Sequence, residues 1–97
     1  MIAEIQVLPT PAGTPDDRHA HVEAAIAVIQ ASGLHHEVGP LGTTLEGPPD
    51  EVWAVLRAAQ EATLAAGAER VISVVKLAQG AGDTGPTMDD LVRKFRP

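Results

Sequence analysis

Hydrophobic and polar residues alternate along the first segment of the chain, IAEIQVL at residues 2–8. Ala3, Ile5 and Val7 lie on one side of this segment, as expected for a β-strand that packs one face on a core. The opposite side carries Ile2, Glu4, Gln6 and Leu8. Proline interrupts strand pairing, so we predict that Pro9 ends the strand.

A helical period follows the loop after this strand. Thr14 is suited to cap a helix, Pro15 to occupy its first position and Asp17 its third, so we predict that the first helix starts here. Gly33 is placed to end the helix in a left-handed conformation. The apolar residues that share one face at helical spacing are Val22, Ala25, Ile26 and Ile29.

The middle of the chain predicts a β-hairpin followed by a second helix. Residues 34–38, LHHEV, and residues 41–47, LGTTLEG, are short strand patterns separated by a Gly-Pro turn. The helix opens within residues 48–51, PPDE, and Gly67 closes it. Its predicted inner face consists of Val52, Val55, Leu56, Ala59 and Thr63.

The last part of the chain completes a recognisable order of elements. RVISVVKLA at residues 70–78 is the clearest strand because it is rich in β-branched residues. Residues 79–86 form a Gly-rich linker to a short final helix at residues 87–96, capped by Thr87. We therefore predict a single α+β domain with the ferredoxin-like βαββαβ fold, in which two helices cover one face of a four-stranded antiparallel sheet.

The second face of this predicted sheet has no helix to cover it. It carries the apolar Ile2 and Leu8 beside the polar Glu4 and Gln6. Exposed apolar side chains in such number are typical of an interface between subunits. We therefore expect the protein to associate with copies of itself.

Composition and charge restrict the possible functions. The chain has 97 residues, of which 44% are hydrophobic, and no Cys, so it suits one globular domain and excludes thiolate chemistry. Its formal net charge of -6 disfavours nucleic acid, because such binding depends on Lys and Arg neutralising phosphates. The first residues lack the pattern of a secretory signal and no apolar run reaches membrane-spanning length, so we expect a cytoplasmic protein without membrane contact.

Gly80, Gly82 and Gly85 reproduce the G-x-G-x-x-G spacing of dinucleotide-binding loops. That loop functions inside a βαβ unit, with a second parallel strand and an acidic residue about 20 positions further on that holds the ribose. The sequence after Gly85 has room for neither, and Pro86 stands where the helix would begin. We interpret the segment as a linker rather than a nucleotide site.

Four histidines are candidate metal ligands. His19 and His21 lie about 200 degrees apart around a helix, and His35 and His36 point to opposite faces of a strand. Neither pair can chelate an ion locally, so no metal site is predicted within the chain. Exposed or interfacial histidines are favoured, and a metal site between chains and pH-sensitive association stay open as alternatives.

Two carboxylates and two hydroxyls are better candidates for a binding site. Glu4 and Glu46 fall on strands that are neighbours in the predicted sheet, but no nucleophile with a base beside it accompanies them. Their use as partners of a cationic ligand is therefore favoured over catalysis. Thr43 and Thr44 present hydroxyls to opposite faces of the third strand, although threonine is also favoured by β structure itself.

Several segments together resemble the thiamine-binding protein family. They are IAEIQVLP, SGL before the second strand, GTTLEGPPDEV, AAGAERVISVVK and the TM at residues 87–88. The resemblance spans nearly the whole chain, and GTTLEGPPDEV is its most specific part. It implies a homotetramer built as a dimer of dimers through sheet surfaces, no enzymatic activity, no cofactor, and binding of thiamine or its hydroxymethylpyrimidine moiety.

Thiamine suits such a site because it combines a permanent thiazolium charge with an aminopyrimidine ring, which carboxylates and hydroxyls at the edge of an apolar pocket can hold. Chosen by polarity and strand position, the expected ligand contacts are Glu4, Gln6, Thr43, Thr44, Glu46 and Ser73. Two alternatives stay open: a structural or regulatory assembly module without a small ligand, and a metal-independent enzyme that uses Glu4 and Glu46.

Overall fold

The computed structural model describes residues 1–97 and contains four strands and three α-helices. In chain order they are β1 (Ile2–Thr10), α1 (Ala20–Ala31), β2 (His35–Val38), β3 (Thr43–Glu46), α2 (Pro49–Ala65), β4 (Arg70–Ala78) and α3 (Met88–Val92). The strands form one antiparallel sheet in the order β2-β3-β1-β4. This confirms the predicted ferredoxin-like α+β fold. None of the helices is both long and apolar enough to cross a membrane.

The core lies between the two long helices and one face of the sheet. Its fully buried members alternate along the strands and recur at helical spacing along the helices, because only those positions point inward. They are Ala3, Ile5, Ala25, Ile29, Leu45, Val52, Leu56 and Ala59. The predicted inner face of α2 is thereby confirmed, and Gly33 ends α1 with a left-handed φ of 78°.

β1 does not end at Pro9, as the sequence predicted, but continues to Thr10, with Pro9 paired to Val71 of β4. The reason lies in the direction of the main-chain groups. Met1 and Gly47 exchange two hydrogen bonds of 3.0 and 3.1 Å, so odd-numbered residues of β1 point toward β3. β3 pairs with β1 only as far as Ile5. The nitrogen of Pro9 therefore faces a position without a strand, where its missing N–H costs no ladder bond.

α1 begins at Ala20 rather than in the segment predicted from Thr14. The Thr14 hydroxyl does accept a hydrogen bond from the Asp17 N–H at 3.1 Å, so a cap-like turn forms. However, the Thr14 N–H donates to the Asp17 carbonyl at 2.8 Å, which is opposite to the direction of hydrogen bonds in a helix. These two hydrogen bonds close residues 14–17 into a turn, so the helix can start only after it. Gly13 permits this approach, because a Cβ there would lie 2.2 Å from the Asp17 oxygen.

α3 is capped as predicted by Thr87. The Thr87 hydroxyl accepts from the Asp90 N–H at 3.1 Å, and the Asp90 carboxylate accepts from the Thr87 N–H at 3.0 Å. The hydrogen bond from the Thr87 main chain, assisted by the Thr87 hydroxyl and by Arg93, lowers the pKa of Asp90 below its ordinary value.

Acidification is expected to loosen α3. The lowered pKa of Asp90 means that its ionised form favours the folded helix, so this contribution is complete above the ordinary Asp pKa of about 3.9 and is lost as pH falls through the lowered one. Amide hydrogen exchange at Asp90 and Leu91, followed from pH 6 into the acid range of about pH 3, checks this. Asp90→Asn is the control, because exchange in that variant should lack the acid transition after correction for intrinsic rates. Equal acid dependence in both proteins would contradict the assignment.

Candidate functional site

The six residues expected to contact ligand are divided between the two faces of the sheet. Strand alternation and the register place four of them on the face opposite the helices, called here the open face: Glu4, Gln6, Thr44 and Glu46. Thr43 and Ser73 lie on the helix-covered face, as the burial of Thr43 at 4% exposure shows for the former. The opposite orientation predicted for Thr43 and Thr44 is therefore confirmed.

Glu4 and Glu46 have separate partners on the open face. The Glu4 carboxylate lies 3.7 Å from the Lys76 ammonium of the neighbouring strand β4. The Glu46 carboxylate accepts a 2.8 Å hydrogen bond from the main-chain N–H of Met88, the first residue of α3. This hydrogen bond links the start of α3 to the end of β3, and the Met88 side chain at the same position is buried.

A partly enclosed space lies on the other face. It is a cavity of about 310 Å³ between α1, the middle of β1 and the β2–β3 hairpin, called here the α1 cavity. Its lining consists of Ile5, Gln6, Val7, His19, Val22, Ala25, Ile26, Ile29, Gly39, Pro40, Leu41, Gly42 and Thr43. Two of the predicted ligand contacts, Gln6 and Thr43, are among these residues.

The α1 cavity exists because α1 extends past the short strand β3. The apolar stripe of α1 predicted from the sequence, with Val22 and Ile26 partly exposed within it, forms one wall. The opposite wall would be continued by β3, but β3 begins at Thr43 instead of at the predicted Leu41. Residues 40 and 41 turn the chain between Gly39 and Gly42, whose main chains are joined by a 2.8 Å hydrogen bond. The space beyond the end of β3 is left open.

The chemistry of the α1 cavity is mainly apolar with a few polar groups at its edge. Aliphatic side chains of α1 and β1 can cover the faces of a flat ring. Thr43 and His19 are lining residues whose side chains can form hydrogen bonds, and Gln6 also belongs to the lining although strand alternation directs its side chain to the open face. No charged carboxylate belongs to this lining. Such a site favours an uncharged heteroaromatic group over an isolated ion.

The remaining predicted residues line other depressions or none. Glu4 and Thr44 border a depression of about 220 Å³ together with Glu37, on the open-face side of the same hairpin turn. Glu46 borders a depression of about 460 Å³ beside the Gly-rich segment at residues 79–86. The Ser73 hydroxyl is buried without a hydrogen-bond partner in this structure and lines none of these spaces.

Sequence reasoning missed His19 and the hairpin turn as parts of the site. The spacing of His19 and His21 draws attention to metal binding, whereas the position of His19 directly before α1 places it at the cavity. The Gly-Pro pair of the turn predicts only a connection between two strands. One available signal was the length of the α1 stripe, since an apolar helix face longer than the strand opposite it predicts an uncovered stretch.

Comparison with known proteins gives a consistent result. A sequence model of the family described as thiamine-binding protein matches residues 3–96. A UPF0045 protein of Clostridium perfringens is 39% identical over 93 residues, covering 95% of this chain and 93% of that protein. A UPF0045 protein of Synechocystis is 33% identical, covering 96% of this chain and 74% of that protein.

Solved structures agree with the sequence comparisons. A domain of unknown function from Bacillus cereus is 39% identical and superposes with a TM-score of 0.86, covering 98% of this chain and 88% of that one. A proposed thiamine biosynthesis/salvage protein of Thermotoga maritima is 28% identical with a TM-score of 0.81, covering 98% and 97%. The likeness therefore includes every strand and helix described above.

Proposed function

The chain belongs to the thiamine-binding protein family, and from this premise we propose that it binds thiamine, or the hydroxymethylpyrimidine part of thiamine, in the α1 cavity without chemical turnover. The observation that carries the proposal is the cavity itself, which combines apolar walls with the polar groups of Thr43 and His19 at its edge. A role in binding is also supported by the proposed thiamine biosynthesis/salvage protein of Thermotoga maritima, whose fold this chain shares. We place this role in the cytoplasm.

The size of the cavity supports a small ligand. Its volume of about 310 Å³ is at the lower end of the range for small-molecule sites, about 300 to 1,000 Å³. The aminopyrimidine ring can be enclosed between the α1 wall and β1. The thiazolium ring then lies toward the mouth, where its permanent charge stays hydrated and avoids the cost of burial.

The charge distribution near the mouth favours a cation. Glu4 and Glu37 lie on the other side of the hairpin turn, and the chain as a whole carries a net charge of -6. Each of these carboxylates already has a basic neighbour, Lys76 at 3.7 Å and Arg96 at 3.0 Å. Their attraction for a thiazolium group is therefore a weak, salt-sensitive contribution, and the affinity depends mainly on the ring in the cavity.

Isothermal titration calorimetry of the purified protein with thiamine and with hydroxymethylpyrimidine tests the proposal. Saturable heat with at least one of the two is expected, and the recovered ligand should be chemically unchanged. Absence of heat with both, at concentrations up to the millimolar range, would refute the binding function. It would favour a structural or regulatory assembly module without a small ligand.

Thr43→Val is expected to weaken binding about fivefold while leaving the fold intact. The substitution keeps the shape of the side chain and removes a hydroxyl at the cavity wall, and one hydrogen bond is worth about 1 kcal/mol. The matched control is Thr44→Val, which removes the same hydroxyl from the opposite face of β3. Titration of both variants checks the prediction. A larger loss in Thr44→Val would move the site to the open face.

Self-association through the open face is the second part of the proposal. Leu8, Ile72 and Val74 are 46%, 52% and 47% exposed there, on the adjacent strands β1 and β4. A contiguous apolar surface of this kind is stabilised by burial against a second copy. We expect a homotetramer built as a dimer of dimers. This surface would also serve the alternative assembly module, which needs no occupied cavity.

Val74→Glu is expected to reduce the oligomer to smaller species, because it places a charge within the surface that the partner must cover. Light scattering coupled to size-exclusion chromatography at micromolar concentration measures the change. The control is Leu64→Glu, at a residue of comparable exposure on α2 and outside the open face. A parent protein that is already monomeric would exclude this part of the proposal.

A further inference from the structure

Val7 carries main-chain groups that have no partner strand. Odd-numbered residues of β1 direct their N–H and C=O groups toward β3, and the last such residue to be paired is Ile5, opposite Thr43. The close approach there is visible at Gly42, where a Cβ would lie 3.1 Å from the Ile5 carbonyl oxygen. Val7 is the next residue with the same orientation.

The position opposite Val7 belongs to the hairpin turn. Continuing the register by two residues beyond the Ile5–Thr43 pair reaches Leu41, which lies outside β3 and is 78% exposed. No hydrogen bond joins the main chains of Val7 and Leu41. Both residues line the α1 cavity. The N–H and C=O of Val7 therefore face the cavity from the edge of the sheet.

The geometry points to the main chain of Val7 as the group that recognises the ring of the ligand. The class of ligand it selects is a heteroaromatic ring with an acceptor nitrogen directly beside an exocyclic amino group. The Val7 N–H donates to the ring nitrogen, and the amino group donates to the Val7 carbonyl oxygen. This inference rests on the proposed binding function and specifies how the same cavity chooses its ligand.

The spacing of main-chain groups along an extended strand suits such a ring. The N–H and C=O of one residue point to the same side, and in a sheet they exchange two parallel hydrogen bonds with one residue of the neighbouring strand. A flat ring that has an acceptor nitrogen beside an amino donor can form the same two hydrogen bonds within one plane. The side chains of Ile26 and Ile29 then cover one face of that ring from α1.

This arrangement also explains why the cavity needs few polar side chains. An unpaired buried N–H or C=O is costly, and a ligand that satisfies both groups at once gains specificity over one that satisfies neither. The Thr43 hydroxyl remains available for a substituent of the ring. Recognition of the ligand therefore depends more on the different lengths of β1 and β3 than on the identity of the side chains.

Two measurements test the inference with hydroxymethylpyrimidine as the probe. The analogue with hydrogen in place of the amino group should bind the parent protein at least about tenfold more weakly, because the Val7 carbonyl then loses its donor. In heteronuclear NMR spectra, the Val7 amide proton should move downfield and exchange more slowly when the probe is bound. Equal affinity of the two compounds, or an unchanged Val7 amide at saturation, would overturn the inference.

Variants of Val7 separate the main chain from the side chain. Val7→Pro removes the N–H at a position where no ladder bond depends on it, as native Pro9 does two residues later, and should weaken binding at least about tenfold. Val7→Ala keeps the N–H and removes only part of the side chain at the cavity wall, so it should weaken binding less than Val7→Pro does. If Val7→Pro does not fold, the affinity of the analogue without the amino group and the NMR signal of the Val7 amide still test the inference.

The two proposals fail in different ways. The Val7 inference alone is overturned if thiamine binds normally and filling the cavity abolishes this binding, but neither Val7→Pro nor removal of the amino group from the ligand changes the affinity. The proposed binding function would then still stand. No binding of any probe to the parent protein overturns both.

Discussion

Val22→Trp is expected to lower the affinity for thiamine at least about 100-fold, a change of about 2.7 kcal/mol. Val22 is partly exposed on the wall of the α1 cavity, so a larger side chain there can extend into open space without displacing the core. An indole group would occupy much of the roughly 310 Å³ that the ligand needs. Titration calorimetry measures the loss directly.

The matched control for Val22→Trp is Ala27→Trp. Ala27 lies on the same helix but is exposed and outside the cavity lining, so the same side chain is added where it meets no ligand. This variant should bind like the parent protein. The thermal midpoint of Val22→Trp should stay within a few degrees of the parent, which excludes unfolding as the cause of lost binding. Parent-like affinity in Val22→Trp would mean that the ligand lies elsewhere.

Leu45→Ala is expected to destabilise the protein by about 3 kcal/mol. Leu45 has 0% exposure at the centre of β3 and belongs to the cluster that joins the sheet to both long helices. Deleting a buried leucine loses the transfer free energy of the removed carbons and leaves a cavity that the neighbours fill only in part. The loss is a large fraction of the total stability of a domain, about 5 to 15 kcal/mol.

Urea denaturation at a fixed protein concentration measures the effect of Leu45→Ala, since association makes the midpoint depend on concentration. Leu41→Ala is the control, because Leu41 is 78% exposed in the adjacent turn and its removal should change stability by less than about 0.5 kcal/mol. Similar losses in both variants would contradict the assignment of Leu45 to the core. They would place the packing centre nearer to the hairpin turn.

The fold was predictable because its local signals agree with one another. The alternation in residues 2–8 identified both faces of β1, and the β-branched run located β4 with the bounds that the structure has. The errors at Pro9 and Thr14 come from information that only tertiary structure provides. Pro9 is tolerated because its neighbour on one side is absent, and the Thr14 turn is closed by a hydrogen bond that runs against the helical direction.

The candidate site was predictable only in part. Polarity singled out Gln6 and Thr43, which line the α1 cavity, but it also singled out Glu4 and Glu46, whose partners are Lys76 and the main chain of α3. Sequence alone does not show where a hairpin turns relative to the strand beside it. Whether β3 begins at Thr43 or two residues earlier decides whether the cavity is open or closed. No residue type in the sequence indicates which of the two occurs.

Pro9 has a further consequence for what can occupy the edge of β1. An extended polypeptide arriving alongside Val7 would next require a donor from residue 9, and the imide nitrogen of proline offers none. On this edge of β1, Val7 is therefore the single residue that offers main-chain groups for pairing with an added strand. This stretch of β1 is long enough to bind a compact ring and too short to pair with an added strand.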